Sequence, residues 1–269
     1  MKKTLTIFLF FIGCNFFVAQ TNDTLSINYF THPPFSLKEG ELIKGLEIDI
    51  INEYVLWLKL TKKQNIAVKY IPFADFNLFY QTTKAATKNT IGLGSVTITQ
   101  ERLKEIDFTT AYLKNVSFCI TNGNAPDIKT KMPDEIIKTL GSMTALTITN
   151  TTISKYVLEL KKTYIKDLKV NYVSLETSIL DEIARNVLNF GYVDALEFWF
   201  YLKANPSKFL KMQKILNQTK EEFGFIMPKG SQHKILFNEF FTTFKASRNY
   251  RAILEKYMGS YMTQNMAIN

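Results

Sequence analysis

Cysteine and histidine are scarce in this chain, with two of each among 269 residues. Cys14 lies in an N-terminal apolar run that we expect to be removed, so Cys119 has no intramolecular partner and a disulfide framework is excluded. Cys119 itself lies in a strand-like apolar stretch, which predicts a core position rather than a reactive thiol. The histidines, His32 and His233, are not spaced as ligands on one helix face, so we predict no metal site.

The sequence also lacks the short motifs that mark common catalytic sites. It has no Gly-x-Ser-x-Gly nucleophile motif, no phosphate-cradling glycine loop and no dinucleotide fingerprint. No pair of its acidic residues is marked by its setting as a general acid and base. We therefore predict a protein that is not an enzyme, with no catalytic residue and no cofactor.

Acidic residues are in the minority, with 24 against 33 basic residues. Without Lys2 and Lys3, 31 basic and 24 acidic residues remain, a formal net charge of +7. The lysines fall in short, dispersed groups such as Lys62-Lys63 rather than in an arginine-rich stripe. This pattern favours a solvated basic surface over nucleic-acid binding.

The one long apolar run lies at the N-terminus. Lys2 and Lys3 precede a mostly apolar stretch over residues 5–19, and polar residues follow. This is the order of a secretory signal, and the run is short for a membrane span of about 20 residues. We predict a signal peptide over residues 1–19, cleaved near Ala19, and a periplasmic or otherwise extracytoplasmic protein. Residues 11–14 also resemble a lipoprotein box, so a lipid anchor at Cys14 is the alternative.

The remaining sequence alternates short strand-like runs with amphipathic helical segments, such as the helix predicted over residues 46–58. Alternation of this kind indicates βα units and a largely parallel sheet. Further strands are predicted over residues 192–196 and 222–227. The elements form two similar sets, which predicts two α/β lobes with a ligand site between them, outside the carboxyl ends of strands.

The loop and short helix over residues 94–112 carry the clearest chemical signal. Thr99 is placed to cap a short helix whose first turn holds Arg102. Ser95 and Thr97 lie two residues apart in an extended loop, so their hydroxyls point the same way. Hydroxyls, free N–H groups and an arginine suit an anion, and the guanidinium can hold a carboxylate through two parallel hydrogen bonds.

This stretch resembles the family-3 extracellular solute-binding proteins, the polar amino-acid receptors of ABC importers. The family has a Thr-x-x-Arg motif followed by an Asp-Phe-Ser/Thr-x-x-Tyr motif. Residues 99–102 and 107–112 match these two motifs. Other landmarks follow in the family's order over the whole mature chain: Pro33-Pro34-Phe35, residues 45–50, Asn150-Thr151-Thr152, residues 191–195 and Phe223-Gly224-Phe225.

The resemblance implies a type II periplasmic-binding-protein-like fold, with two α/β lobes joined by two hinge strands. The first lobe would be discontinuous, with residues 24–112 and 225–269. The second would span residues 113–224, with hinges near Leu113 and Phe223.

The resemblance also implies a ligand-binding role for several residues. Arg102 would hold the ligand carboxylate with help from Ser95 and Thr97, and Thr152 would reach in from the second lobe. Asn150 stands where the second lobe usually has glycine.

Other positions depart from the family. His32 takes the place of an aromatic residue before Pro-Phe, and the acid that meets an α-ammonium group would align at Trp199. Glu197, on the same face of the predicted strand, is the candidate substitute. His32, Glu197, Phe35 and Asp194 complete the predicted ligand-binding set, although packing roles stay open for each of them.

The resemblance implies a monomer that captures a small carboxylate-bearing solute, an amino acid or a related compound, and presents it to an inner-membrane ABC permease. Two alternatives remain. One is a periplasmic dehydratase-like enzyme on the same fold, with His32 or Glu197 as acid or base. The other is a stand-alone sensory or accessory module.

Overall fold

The computed structural model describes residues 24–268, which fold around two large β-sheets. The predicted signal peptide over residues 1–19 and the alternative, a lipid anchor at Cys14, lie outside the described residues. The α/β fold with two sheet-containing lobes is confirmed.

The first part of the chain builds most of the first sheet. Its elements in order are β1 (Thr24–Phe30), β2 (Leu37–Glu39), β3 (Leu42–Lys44), α1 (Leu46–Thr61), β4 (Ala67–Phe73), α2 (Phe76–Ala85), β5 (Thr90–Leu93), α3 (Gln100–Glu105) and β6 (Asp107–Phe108). β1 is a mostly buried strand that lies between β4 and β5 and pairs in parallel with both. Helix α1 begins where the apolar periodicity predicts, and one face of it is buried.

The middle of the chain builds the second sheet. Its elements are β7 (Leu113–Asn122), α4 (Pro133–Leu140), β8 (Thr144–Thr147), α5 (Thr152–Thr163), β9 (Lys169–Tyr172), α6 (Glu176–Arg185), β10 (Asn189–Asp194), α7 (Ala195–Ala204), β11 (Leu210–Met212) and β12 (Gln218–Phe223). Strands β10, β8 and β9 are parallel neighbours, while β7 lies antiparallel to β10, β11 and β12. The helices after β8 and β9 therefore start at one edge of this sheet.

The chain returns to the first sheet after β12. Strand β13 (Ile226–Met227) pairs antiparallel with β5 and β6. Helices α8 (His233–Phe244) and α9 (Arg248–Met266) then follow. The single strand predicted over residues 222–227 is wrong, because the chain leaves one sheet at Phe223 and enters the other at Ile226. The predicted lobe boundaries and hinges stay predictions.

The strand predicted over residues 192–196 is also wrong at its end. Strand β10 stops at Asp194, and α7 begins at Ala195. Glu197 therefore lies in the first turn of a helix and not on a strand face. The aromatic residues that follow it favour a strand in isolation, which is why α7 was not predicted.

Buried apolar side chains form two clusters. One surrounds the second sheet and continues to Phe76 and Phe79 of α2, and the other packs α1, α8 and α9 against the first sheet. Cys119 is fully buried, which confirms its predicted core position. Among residues 24–268, no helix combines the length and apolar character needed to cross a bilayer.

Candidate ligand-binding site between the two lobes

A cavity lies between the lobes, beyond the carboxyl ends of β5, β8, β9 and β10. The first lobe contributes the loop after β5, together with Phe76 and Arg102. The second contributes the start of α5, together with Glu176 and Asp194. The cavity between these side chains is narrow, with a volume of about 30 Å³, on the order of that of a single water molecule. The two lobes therefore lie close together around it.

Arg102 is fixed by the short helix α3. Thr99 caps this helix as predicted, and its Oγ1 accepts a hydrogen bond of 3.3 Å from the Arg102 backbone N–H. The Arg102 side chain points into the cavity and is 8% exposed. Its Nη1 donates to the Thr97 carbonyl at 3.0 Å, and its Nη2 donates to the Asn150 carbonyl at 3.1 Å. One guanidinium thus contacts both lobes.

The other neighbours of the Arg102 guanidinium are aromatic. Its Cζ lies 5.6 Å from the ring centroids of both Phe76 and Tyr80, within the range of cation–π attraction. Among residues 24–268, no carboxylate forms an ion pair with it. Burial lowers the pKa of Arg102 from its usual value, yet an arginine stays charged in proteins. The site therefore holds a buried cation bonded to neutral groups.

Hydroxyl groups lie beside this cation. The Oγ1 atoms of Thr97 and Thr152 are 3.2 Å apart and join the two lobes directly. Ser95 Oγ is 3.0 Å from His32 Nδ1. The Ser95 backbone N–H donates to Glu47 Oε1 at 2.9 Å, which holds Ser95 in a left-handed conformation with φ of 44°.

The turn before α5 completes this side of the site. Thr151 caps α5, with its Oγ1 accepting from the Ser154 N–H at 3.2 Å. Asn150 has φ of 63°, a left-handed conformation that asparagine tolerates better than most residues. This explains why asparagine can replace the glycine usual at this position. Asn150 Nδ2 also donates to Asn77 Oδ1 of the other lobe at 2.8 Å.

The opposite wall of the cavity is acidic. Glu176, the first residue of α6, accepts a hydrogen bond of 2.7 Å from the Asp194 N–H through its Oε2. Burial, followed by repulsion from Glu221, raises the pKa of Asp194 to about 7. Burial and the neighbouring carboxylates also raise the pKa of Glu176 well above its usual value.

Sequence reasoning did not identify Glu176. The signal that could have identified it is its position, because Glu176 is the first residue of the helix that follows the carboxyl end of a parallel strand. Ligand sites of α/β folds lie at such ends.

The structure brings five predicted site residues together and leaves three outside the cavity lining. The five are Arg102, Ser95, Thr97, Thr152 and Asp194. The other three, His32, Phe35 and Glu197, are buried behind the cavity. Their direct contact with a ligand, like the roles of the five, stays a prediction.

The contacts of these three residues show how they pack. Phe35 stacks on His32 with 5.3 Å between ring centroids and meets Phe223 edge-on. His32 Nε2 lies 3.3 Å from Glu197 Oε2. Trp199, where the family's usual acid would align, is 47% exposed and does not line the cavity.

The family model of the bacterial extracellular solute-binding proteins, family 3, matches residues 28–260. The chain belongs to this family. The resemblance inferred from the motifs is thereby confirmed, and members of this family are binding proteins located outside the cytoplasm.

Solved structures of amino-acid-binding proteins share the fold. An ancestral arginine-binding protein bound to arginine is 22% identical, with a TM-score of 0.72, and the match covers 88% of this chain and 98% of that one. ArtJ of Geobacillus stearothermophilus, an arginine-, lysine- and histidine-binding protein, is 18% identical, with a TM-score of 0.72 and coverage of 88% and 96%. The ancestral amino acid-binding protein AncCDT-1, a precursor of cyclohexadienyl dehydratase, is 20% identical, with a TM-score of 0.69 and coverage of 87% and 94%.

Proposed function

We propose that this protein captures a small carboxylate-bearing solute between its lobes in the periplasm and presents it to an ABC-type importer. The observation that carries the proposal is the buried guanidinium of Arg102, which lines the interlobe cavity and has neutral hydrogen-bonding partners. A buried charge is costly unless it is paired, and this guanidinium donates its hydrogen bonds only to carbonyl groups, so an anionic ligand group is favoured beside it.

The surroundings of Arg102 fit a carboxylate. The hydroxyls of Ser95, Thr97 and Thr152 line the same cavity, as does the start of α5. The first N–H groups of a helix have no partners within the helix and attract anions. A carboxylate at this point receives charge-assisted hydrogen bonds, which are about twice as strong as neutral ones.

Capture is coupled to closure because the donors come from both lobes. Arg102 and Thr97 belong to the first sheet's side of the cavity, whereas Thr152 belongs to the other. A solute that bonds to both sides binds the closed arrangement more tightly than an open one, and so shifts the population towards closure. The related structures named for arginine binding support an amino acid or similar compound as the solute.

A thermal-shift screen tests this function. The chain from residue 20 onwards is screened against amino acids, dicarboxylates, keto acids and short peptides. A ligand at about 100 times its Kd should stabilise the protein by about 2.7 kcal/mol. Arg102→Ala should lose the response, whereas Arg185→Ala, at an exposed surface ion pair, should keep it. An equal response from the Arg102 variant, or none from the wild type, contradicts the proposal.

One observation favours a second function, a periplasmic dehydratase-like enzyme. Glu176 and Asp194 line the cavity with raised pKa values, so either carboxyl can hold a proton near neutral pH and act as a general acid. The fold of AncCDT-1 is compatible with this. Incubation of the protein with hydroxylated cyclohexadienyl carboxylates, followed by NMR, tests it. Loss of water that Glu176→Gln abolishes supports an enzyme, and unchanged compounds contradict one.

A further inference from the structure

A histidine behind the cavity contacts residues of both lobes. His32 follows β1 and is buried. Its Nδ1 lies 3.0 Å from Ser95 Oγ, and its Nε2 lies 3.3 Å from Glu197 Oε2 in the first turn of α7. Of these three residues, Ser95 lines the cavity. The three side chains, hereafter the His32 link, therefore run from the buried start of α7 to the cavity.

The imidazole ring of His32 is held by its own loop and by aromatic neighbours. The His32 N–H donates to the Ser36 carbonyl at 2.8 Å, and the His32 carbonyl accepts from the Phe35 N–H at 2.8 Å. The ring stacks on Phe35 and lies 5.6 Å from the ring of Phe30, measured between centroids. A ring packed in this way has few alternative orientations, so the neighbours of its two nitrogens are fixed by the fold.

A hydrogen atom must lie between His32 and Glu197. Among the described residues, His32 Nε2 and both carboxyl oxygens of Glu197 are buried and have no other hydrogen-bond partner. Two acceptors that face each other in the interior would both stay unsatisfied, which is costly. Either Nε2 carries a hydrogen and donates to a carboxylate, or the Glu197 carboxyl carries it and donates to Nε2.

The charges around Glu197 favour the second arrangement. Burial, followed by repulsion from Asp194, raises the pKa of Glu197 well above its usual value. A further carboxyl oxygen, Glu176 Oε1, lies 3.8 Å from His32 Nε2. Within the described part of the chain, no lysine or arginine forms an ion pair with Glu197. The His32 ring does not supply a positive charge either, because burial lowers its pKa to about 4. Glu197 therefore holds a proton beside a neutral imidazole.

The proton on Glu197 sets the direction of the next hydrogen bond. A neutral imidazole carries one hydrogen, so a ring that accepts at Nε2 carries its hydrogen on Nδ1 and donates to Ser95 Oγ. The single hydrogen of the Ser95 hydroxyl then stays available for an acceptor in the cavity. In the other tautomer Nδ1 would accept that hydrogen, and Ser95 could only accept from a solute.

We propose that His32 and Glu197 are positioning residues for solute capture: protonated Glu197 donates to His32, and His32 donates to Ser95, whose hydroxyl is thereby directed to donate to the solute's carboxylate. This inference rests on the proposed function, because it needs a carboxylate in the cavity beside Arg102. It also gives His32 a role that a phenyl ring at this position could not have, since a phenyl ring has no nitrogen to accept or donate a hydrogen.

Nitrogen-15 NMR of the chain from residue 20 onwards tests the hydrogen positions without any solute. The sequence has two histidines, so the ring signals of His32 are identified by their loss in His32→Gln. Near neutral pH we expect the His32 ring to carry its hydrogen on Nδ1 and to have an unprotonated Nε2. A hydrogen on Nε2, or on both nitrogens, overturns the proposal.

A leucine variant tests whether Glu197 selects this tautomer. Glu197→Leu removes the donor that faces Nε2, so the share of rings with hydrogen on Nδ1 should fall in the same spectra. Glu182→Leu, at an exposed ion pair on α6, serves as the matched control and should leave the His32 signals unchanged. Identical His32 signals in the wild type and Glu197→Leu overturn the role given to Glu197.

A double-mutant cycle tests the effect on capture. Succinate, L-alanine, L-glutamate and L-arginine are titrated calorimetrically into the wild type, His32→Phe, Ser95→Ala and the double variant. For the probe that binds most tightly, His32→Phe should raise Kd about threefold or more when Ser95 is present and change it little when Ser95 is alanine. An equal change in both backgrounds shows that His32 acts by packing alone and overturns the proposal. Failure of every probe to bind the wild type contradicts the proposed function instead, and the NMR spectra then still decide the hydrogen positions.

Discussion

Glu47 offers a quantitative test of how the site is supported. It lies in the first turn of α1 and is fully buried. Its Oε1 accepts hydrogen bonds from the Ser95 N–H and the Tyr112 hydroxyl, while Oε2 has no partner. Burial outweighs these hydrogen bonds and raises the pKa of Glu47 to about 7 from 4.5. We predict that Glu47→Gln removes a pH-dependent loss of stability.

The sign and size follow from proton linkage. Between about pH 4.5 and 7, the folded protein keeps a proton on Glu47 that the unfolded chain has lost. The free energy of unfolding therefore falls as pH rises through this window. The pKa difference corresponds to about 3 kcal/mol, an upper value because local relaxation reduces it. Glutamine keeps an oxygen for Ser95 and Tyr112 but does not titrate.

Urea unfolding of the chain from residue 20 onwards, at about pH 5 and about pH 8, measures the effect. The wild type should lose up to about 2.5 kcal/mol more than Glu47→Gln between the two conditions, because pH 5 already lies above the unfolded pKa. Glu41→Gln serves as control, because the Glu41 side chain is 99% exposed, and it should follow the wild type. Equal losses in the wild type and Glu47→Gln refute the reasoning.

Three further predictions concern single residues. Asn150→Val should lower the free energy of unfolding by about 1–3 kcal/mol more than Asn150→Gly, because a β-branched residue is strained at φ of 63°; equal urea midpoints contradict this. Burial raises the pKa of Cys119 to about 12, so iodoacetamide should modify it only in urea; adducts on the native protein, seen by mass spectrometry, contradict this. Phe76→Leu removes a cation–π partner of Arg102 and should weaken solute binding by about 0.5–2 kcal/mol; an unchanged Kd in calorimetry contradicts this.

Elements with strong local signals were predictable from the sequence. Helix α1 starts at Leu46, where the apolar period of a helix begins. Thr99 caps α3 and brings Arg102 into the cavity, as its spacing predicts. Both features depend on neighbouring residues along the chain, so no knowledge of the tertiary fold was needed.

Elements that depend on tertiary packing were not predictable. Helix α7 carries apolar and aromatic residues on several faces, so it shows no helical period. The break between β12 and β13 arises because Phe223 and Ile226 pair in different sheets. Pairing in separate sheets is a long-range property that a continuous apolar run does not reveal.

The two sides of the candidate site differ in the same way in how far the sequence predicts them. The motif around Arg102 is contiguous, and the sequence therefore predicts the carboxylate side. The acidic side combines Asp194 and Glu197, which are close in sequence, with Glu176 and Glu221. These last two are more distant in sequence and reach the site through the order of the strands. Asp194 and Glu197 were predicted through the family resemblance, whereas Glu176 required the fold.

The central claim is that Arg102 holds the carboxylate of a captured solute, and a double-mutant cycle tests it most directly. The best-binding acid from the screen and its primary amide are titrated calorimetrically into the wild type and into Arg102→Gln. Loss of either partner alone should cost roughly 3–5 kcal/mol of binding, and loss of both should cost little more than one loss. Additive losses would contradict the account, because they would show that the carboxylate and Arg102 do not interact.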